Sequence, residues 1–307
     1  TQTTWALNIE TGHLSVTGDG EVAYHPWMDN YKDSVKDVLI GKGVVSICAE
    51  AFKDCVNLAS VTFEAASVLS DIGGSAFAGC TALRNIELPA NIKTIAAEAF
   101  SGSGLSGGVI IPSSIISIEK NSFANCPDLI NLLIPDSFAD RYKPNTPDID
   151  LSSRNAAVLV YSNDGSSVLG ICVPAGSTDV EVEIPSNIFP GVPVTNINGV
   201  YKGNVRNIKK VSVPDTVTYI ADRAFEGFGS TDPSGSRVVE INIPQSVNHI
   251  GEAAFKDAAV QIVSLPAGVT VIPKSAFENC SLLESVVVSS SLTEIGELAF
   301  GACNSLK

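Results

Sequence analysis

The chain has 307 residues and carries 33 Asp and Glu against 19 Lys and Arg, a net charge of −14. Nucleic acid and an anionic membrane surface would both repel that balance, so neither is expected as a main partner. Hydrophobic residues make up 45% of the chain, which fits a long packed core and excludes disorder. The apolar runs, such as residues 156–161, stop far short of the ~18 residues of a membrane-spanning helix.

From Val38 onward one pattern recurs along the chain. Aligned on Phe52, Phe77, Phe100, Phe123, Phe225, Phe255, Phe277 and Phe300, each unit has an Ile five residues earlier, from Ile47 to Ile295. The residue before the Phe is Ala in seven units and Ser122 in the other. Pro89, Pro112, Pro214, Pro244 and Pro266 stand six residues before the Ile. Three residues after the Phe come Cys55, Cys80, Cys126, Cys280 and Cys303, and six after it Leu58, Leu83, Leu129, Leu283 and Leu306. The commonest spacing between successive Phe positions is 22 or 23 residues.

Each unit has room for one short strand. Ile86-Glu87-Leu88-Pro89 and Ile241-Asn242-Ile243-Pro244 alternate inward and outward positions, and the Pro, lacking an N–H, closes the strand. The remaining ~18 residues are too few for a strand plus a long helix. A single unit cannot bury its own Ile, Phe and Leu. Stacked units would align the strands in a parallel sheet, with each Phe against the next. The fold class expected is a β-rich leucine-rich-repeat solenoid with little long helix.

The unit, I-x-x-x-A-F-x-x-C-x-x-L-x-x-I-x-I-P, resembles the BspA-like leucine-rich repeats of bacterial surface proteins, a class with a 23-residue period. Trp5-Ala6-Leu7-Asn8, the stretch 11–20 and Pro26-Trp27 resemble the β-rich cap that opens such arrays. The resemblance implies a secreted or cell-surface location and adhesion to host proteins. It leaves the ligand open.

On this reading residues 1–36 are the cap, 37–135 a first repeat array and 178–307 a second. Residues 136–177 break the pattern. Pro144-Asn145-Thr146-Pro147 reads as loop, and residues 157–161 and 168–173, either side of Asn163-Asp164-Gly165, read as a β-hairpin. The rung after Pro185 is degenerate, and residues 230–236 lengthen one loop. The chain starts at Thr1 rather than Met and ends at Lys307 inside a unit, as expected of a processed protein or a piece of a longer array.

Catalytic and metal motifs fail on context. Gly102, Gly104 and Gly107 match G-x-G-x-x-G, and Gly104-Leu105-Ser106-Gly107-Gly108 matches G-x-S-x-G, but the strand follows these glycines instead of preceding them. His13, His25 and His249 are scattered, Asp148-Ile149-Asp150 lacks the rest of a calcium loop, and Asn279-Cys280-Ser281 places its middle residue in the core. There is no C-x-x-C, and Ser103, Phe228 and Ala258 replace Cys in three rungs, so the thiols are expected to be reduced core residues. No metal, cofactor or enzymatic activity is expected.

The function expected is an extracellular or cell-surface recognition module that binds a protein ligand, such as a host extracellular or surface protein. The alternative is a structural spacer or glycan-capture module. Two residues before each strand-closing position the side chain points outward, giving the row Leu39, Thr62, Glu87, Ile110, Leu133, Glu183, Ser212, Asn242, Ser264 and Val287. Ile110 and Leu133 are neighbours in that row. They are expected either to be covered by the insertion or to form a binding patch bordered by Glu87 and Asn131.

Overall fold

A computed structural model describes residues 3–23, 30–135, 138, 157–173, 177, 179–203, 205–229 and 238–307, without the side chains of 172 and 200–203. His25, Pro26-Trp27, the Pro144–Pro147 loop, Asp148-Ile149-Asp150 and residues 230–236 lie outside the described residues. The chain forms a β-solenoid of parallel strands, resolved into two compact units, Thr1–Val158 and Leu159–Lys307.

In the first unit Thr4–Asn8 and His13–Thr17 form an antiparallel hairpin. His13–Thr17 then pairs in parallel with Asp37–Ile40, which pairs with Ser60–Phe63. A second parallel row runs through Gly20–Val22, Val44–Ile47, Asp71–Ile72, Thr94–Ile95 and Ser117–Ile118. Gly107–Ile110 pairs with Leu129–Ile134. The repeat Ile residues are in register along the second row, Ile72 beside Ile47 and Ile95 beside Ile72.

The third side of each turn carries the Phe. Phe52, Phe77, Phe100 and Phe123 are buried and stack face to face, with centroids 5.1, 5.3 and 5.3 Å apart and ring planes within 6°. Here the backbone is not a strand. The residues two before and two after each Phe are left-handed, as at Glu50 and Asp54 or Glu98 and Gly102. Alternating handedness turns every second N–H toward the next turn of the solenoid. Glu50, Phe52 and Asp54 donate to the carbonyls of Gly74, Ala76 and Ala78 at 2.9, 2.7 and 2.7 Å, and the pattern repeats from Ser75, Phe77 and Gly79.

The second unit repeats this architecture. Val180–Glu183, Ile208–Ser212 and Glu240–Ile241 form one parallel row. Asn196–Gly203, Tyr219–Ile220 and His249–Ile250 form another, and Ser167–Cys172 pairs with Asn196–Gly203. The degenerate rung keeps its anchor, because Ile197 is buried and in register with Ile220. The hairpin read at 157–173 is present as Val158–Ser162 and Ser167–Cys172, with Gly165 left-handed in its turn. Phe225, Phe255, Phe277 and Phe300 stack at 5.2, 5.1 and 5.5 Å.

One expected strand does not form. Residues 86–89 join no sheet, although Ile86 is buried. The rung is tied to its predecessor at both ends, where Ala82 N–H reaches Val56 O at 3.2 Å and Lys93 N–H reaches Ser70 O at 2.7 Å. Between these ties the preceding rung is longer. Eleven residues separate Val61 from Ile72, against nine between Ile86 and Ile95. The preceding rung turns its corner with Ala66 left-handed.

Candidate recognition surface

The thiols are core groups with a further role that composition did not reveal. Cys80, Cys126, Cys280 and Cys303 each donate from Sγ to the carbonyl of the preceding rung's Phe, at 3.0, 3.1, 3.0 and 3.0 Å. Cys55, Cys80, Cys126 and Cys280 are buried thiols. Burial pushes the Cys55 and Cys280 thiols up to about 12 and raises Cys80 further. Such thiols are poor nucleophiles. Among the described residues no cluster of His, Cys, Asp and Glu could hold a metal ion.

The glycine motifs stay structural. Gly102 is the left-handed residue two after Phe100, and the strand Gly107–Ile110 follows the glycines. His13 is less isolated than its sequence context suggests. Strand register sets it opposite Asp37, whose carboxylate contacts Nδ1, while Nε2 lies 3.1 Å from Ser15 Oγ. This Ser, His and Asp order resembles a hydrolytic triad, but it lies on an open sheet face. The strand's amides are engaged in its pairings with both neighbouring strands, so none forms an oxyanion hole. The alternation of His13 and Ser15 on one strand was the available sequence signal, and the register with Asp37 was not readable.

The outward row is largely as expected, with Thr62, Glu87, Glu183, Asn242 and Ser264 exposed. Ile110 is 49% exposed, but Leu133 is 2% exposed, so the exposed apolar pair does not exist. Leu132, Leu133 and Ile134 are all buried, which means that the C-terminal half of Leu129–Ile134 is covered on both faces, whereas Ile130 is exposed. Asn131 is half-buried opposite Gly108 on the same strand pair. Glu87 is not brought into that group. It sits on the unpaired segment and lines a groove of about 640 Å³ between residues 59–67 and 84–91. The groove's lining is mixed, with Val61, Phe63 and Leu88 beside Thr62, Glu64 and Asn91.

A stacked parallel β-solenoid of short units with a regular exposed face defines a repeat protein of the leucine-rich-repeat class. The sequence profile of the BspA type leucine rich repeat region matches residues 30–142 and 195–307 with six copies, and the chain belongs to that family. No curated protein matches the chain. Solved structures similar to it include a leucine-rich repeat protein from Eubacterium ventriosum, 21% identical over 99% of this chain and 94% of that one, TM-score 0.45. A leucine rich cell surface protein from Faecalibacterium prausnitzii is 19% identical over 99% and 92%, TM-score 0.40. A leucine-rich repeat protein from Bacteroides ovatus is 20% identical over 100% and 92%, TM-score 0.39.

Proposed function

We propose that this chain is a protein-recognition module displayed outside the cell, binding its partner through the outward strand face. The observation that carries this reading is the division of labour within each rung. The Ile and Phe positions, with most of the Cys and Leu positions, are spent on a repeated core, while the exposed row changes from Thr62 to Glu87 to Ile110 and from Glu183 to Asn242 to Ser264. Such a scaffold holds varied side chains at fixed spacing, which suits an extended protein surface. Among the described residues no helix is long and apolar enough to cross a membrane.

A glycan-binding reading has one observation in its favour. Tyr219 and His249 stack at 4.3 Å on the exposed side of the second unit, a surface aromatic pair off the outward strand row. Immobilised protein should be offered host extracellular-matrix proteins and, in parallel, a glycan array. Retention of matrix protein, reduced by Ile110→Asp or Ser264→Lys, is the expected result. Retention of glycans alone, abolished by Tyr219→Ala, would replace the protein-binding reading with the other.

A further inference from the structure

The hairpin that opens the first unit carries a line of polar groups that the recognition reading does not use. Strand register sets its outward side chains in a grid, with Asn8, His13 and Asp37 in one row and Ala6, Ser15 and Leu39 in the next. The Asp37 carboxylate contacts His13 Nδ1, and Ser15 Oγ lies 3.1 Å from His13 Nε2. A carboxylate only accepts, so the proton of the neutral imidazole sits on Nδ1, and Nε2 keeps its lone pair for the Ser15 hydroxyl. Among the described residues Ser15 is the one serine with an imidazole partner. Ser60 gives the comparison within the same sheet, because it stands beside Asp37 in register without such a partner. Ala6 is exposed and Leu39 half-buried, so an apolar side chain flanks Ser15 on each neighbouring strand.

We propose that Ser15 is a covalent modification site, a nucleophile that His13 activates and that takes up a short acyl group from an activated acyl donor, an ester or thioester with a good leaving group. Ser15 Oγ attacks the acyl carbon while His13 Nε2 accepts the hydroxyl proton. The bond from the acyl carbon to the leaving oxygen or sulfur breaks. The leaving group departs with that electron pair and receives the proton from Nε2, and nothing is oxidised or reduced. Asp37 is a positioning residue that holds the ring with Nε2 toward Ser15. Ala6 and Leu39 give a short acyl chain apolar contact. The open sheet face sets the outcome. Without a main-chain oxyanion hole the site forgoes about 10²–10³ in rate, so only an activated donor reacts. The serine ester it leaves has an ordinary alkoxide leaving group and is not cleaved by the same groups. The product is a chain acylated on the outward face of the hairpin, without hydrolytic turnover.

The proposal does not rest on the protein-recognition reading, and either can fail alone. The probe is p-nitrophenyl acetate, offered to the whole chain, with acetylation located and timed by peptide mass spectrometry. The Ser15 rate is read against the Ser60 rate in the same molecule, so a general loosening of the sheet does not mimic the effect. General-base assistance is worth about 10²–10⁴ in an enclosed site, and exposure to water lowers it, so a ratio of about tenfold or more is expected. His13→Gln should bring the ratio to about one, and Asp37→Ala should lower it to an intermediate value. Slow amide exchange at the buried Leu14 and Val16 shows that each variant keeps the strand. Acetylation confined to lysines, a Ser15 rate no greater than that of Ser60, or a ratio unchanged in His13→Gln or in Asp37→Ala would overturn the proposal. Sustained p-nitrophenolate release that depends on Ser15 would overturn it too, because capture would then have given way to hydrolysis.

Discussion

Replacing Phe77 by Ala tests the stacked core directly. The ring is fully buried and sits between Phe52 at 5.1 Å and Phe100 at 5.3 Å, nearly parallel to both. Removing a buried Phe side chain costs about 3–5 kcal/mol, depending on how far the site collapses. Collapse is restricted here, because the two neighbouring rings are held by main-chain bonds between turns, such as Phe77 N–H to Ala99 O at 2.7 Å. Two ring contacts, each worth roughly 0.5–1.5 kcal/mol beyond burial, place the expected loss near the top of that range, about 4–5 kcal/mol. Phe300 provides the internal comparison. It is half-buried and stacks on one ring, Phe277, at 5.5 Å, so Phe300→Ala should cost about 2 kcal/mol. Phe77→Leu keeps most of the volume and should cost about 1–2 kcal/mol. Urea unfolding, with hydrogen exchange at residues 52, 77 and 100, gives the three values. A Phe77→Ala loss no larger than that of Phe300→Ala would refute the ring stack as the main support of the array.

Native labelling with a thiol reagent should leave Cys55, Cys80, Cys126 and Cys280 slow and modify the half-buried Cys48 and Cys303 first, because burial disfavours the thiolate; uniform fast labelling would show that the rungs open. Leu133→Ser should cost about 2–5 kcal/mol in thermal or urea unfolding, and Ile110→Ser less than about 1 kcal/mol, since only Leu133 is buried. In the hairpin turn the Asp164 carboxylate accepts from Ser162 Oγ and, at 2.9 Å, from Ser166 N–H, which holds its pKa below the ordinary carboxylate value. A lowered folded-state pKa stabilises the turn at neutral pH, and that contribution is lost as pH falls below about 4 toward the folded value. Amide exchange at Ser166 should therefore accelerate in acid relative to the turn's neutral-pH protection, and Asp164→Asn should remove the pH dependence.

The repeat, its period and its core were legible because each rung needs the same buried residues at the same offsets. Ile72, Phe77, Cys80 and Leu83 could be assigned inward from spacing alone, as could Ile272, Phe277, Cys280 and Leu283. The left-handed residues at the Phe turns were only half legible. Gly, Asp or Asn marks most of the positions two after the Phe, as at Gly79 and Asn279, where such backbone is cheap. Two before the Phe stand Glu50, Arg223, Ala253 and Leu298, none of which favours that conformation. The bond that each of Glu50, Arg223 and Ala253 donates to the next rung offsets the local strain, and that bond exists only once the rungs are stacked.

The surface followed a different rule. An alternating strand pattern places a residue on a face, but it does not say what lies over that face. Leu133 satisfies the outward position by register and is nevertheless buried, whereas Ile110 beside it is exposed. Likewise residues 86–89 carry a strand pattern as good as that of their neighbours, yet make no ladder. A strand pattern becomes a ladder only through pairing with a neighbouring rung, and these residues pair with neither the rung before nor the rung after. The contact between His13 and Asp37 arises in the same way, from strand register across 24 residues of chain. Local spacing specifies which side chains need a core. Which backbone edges and outward side chains remain available to a partner depends on how successive turns fit together in space.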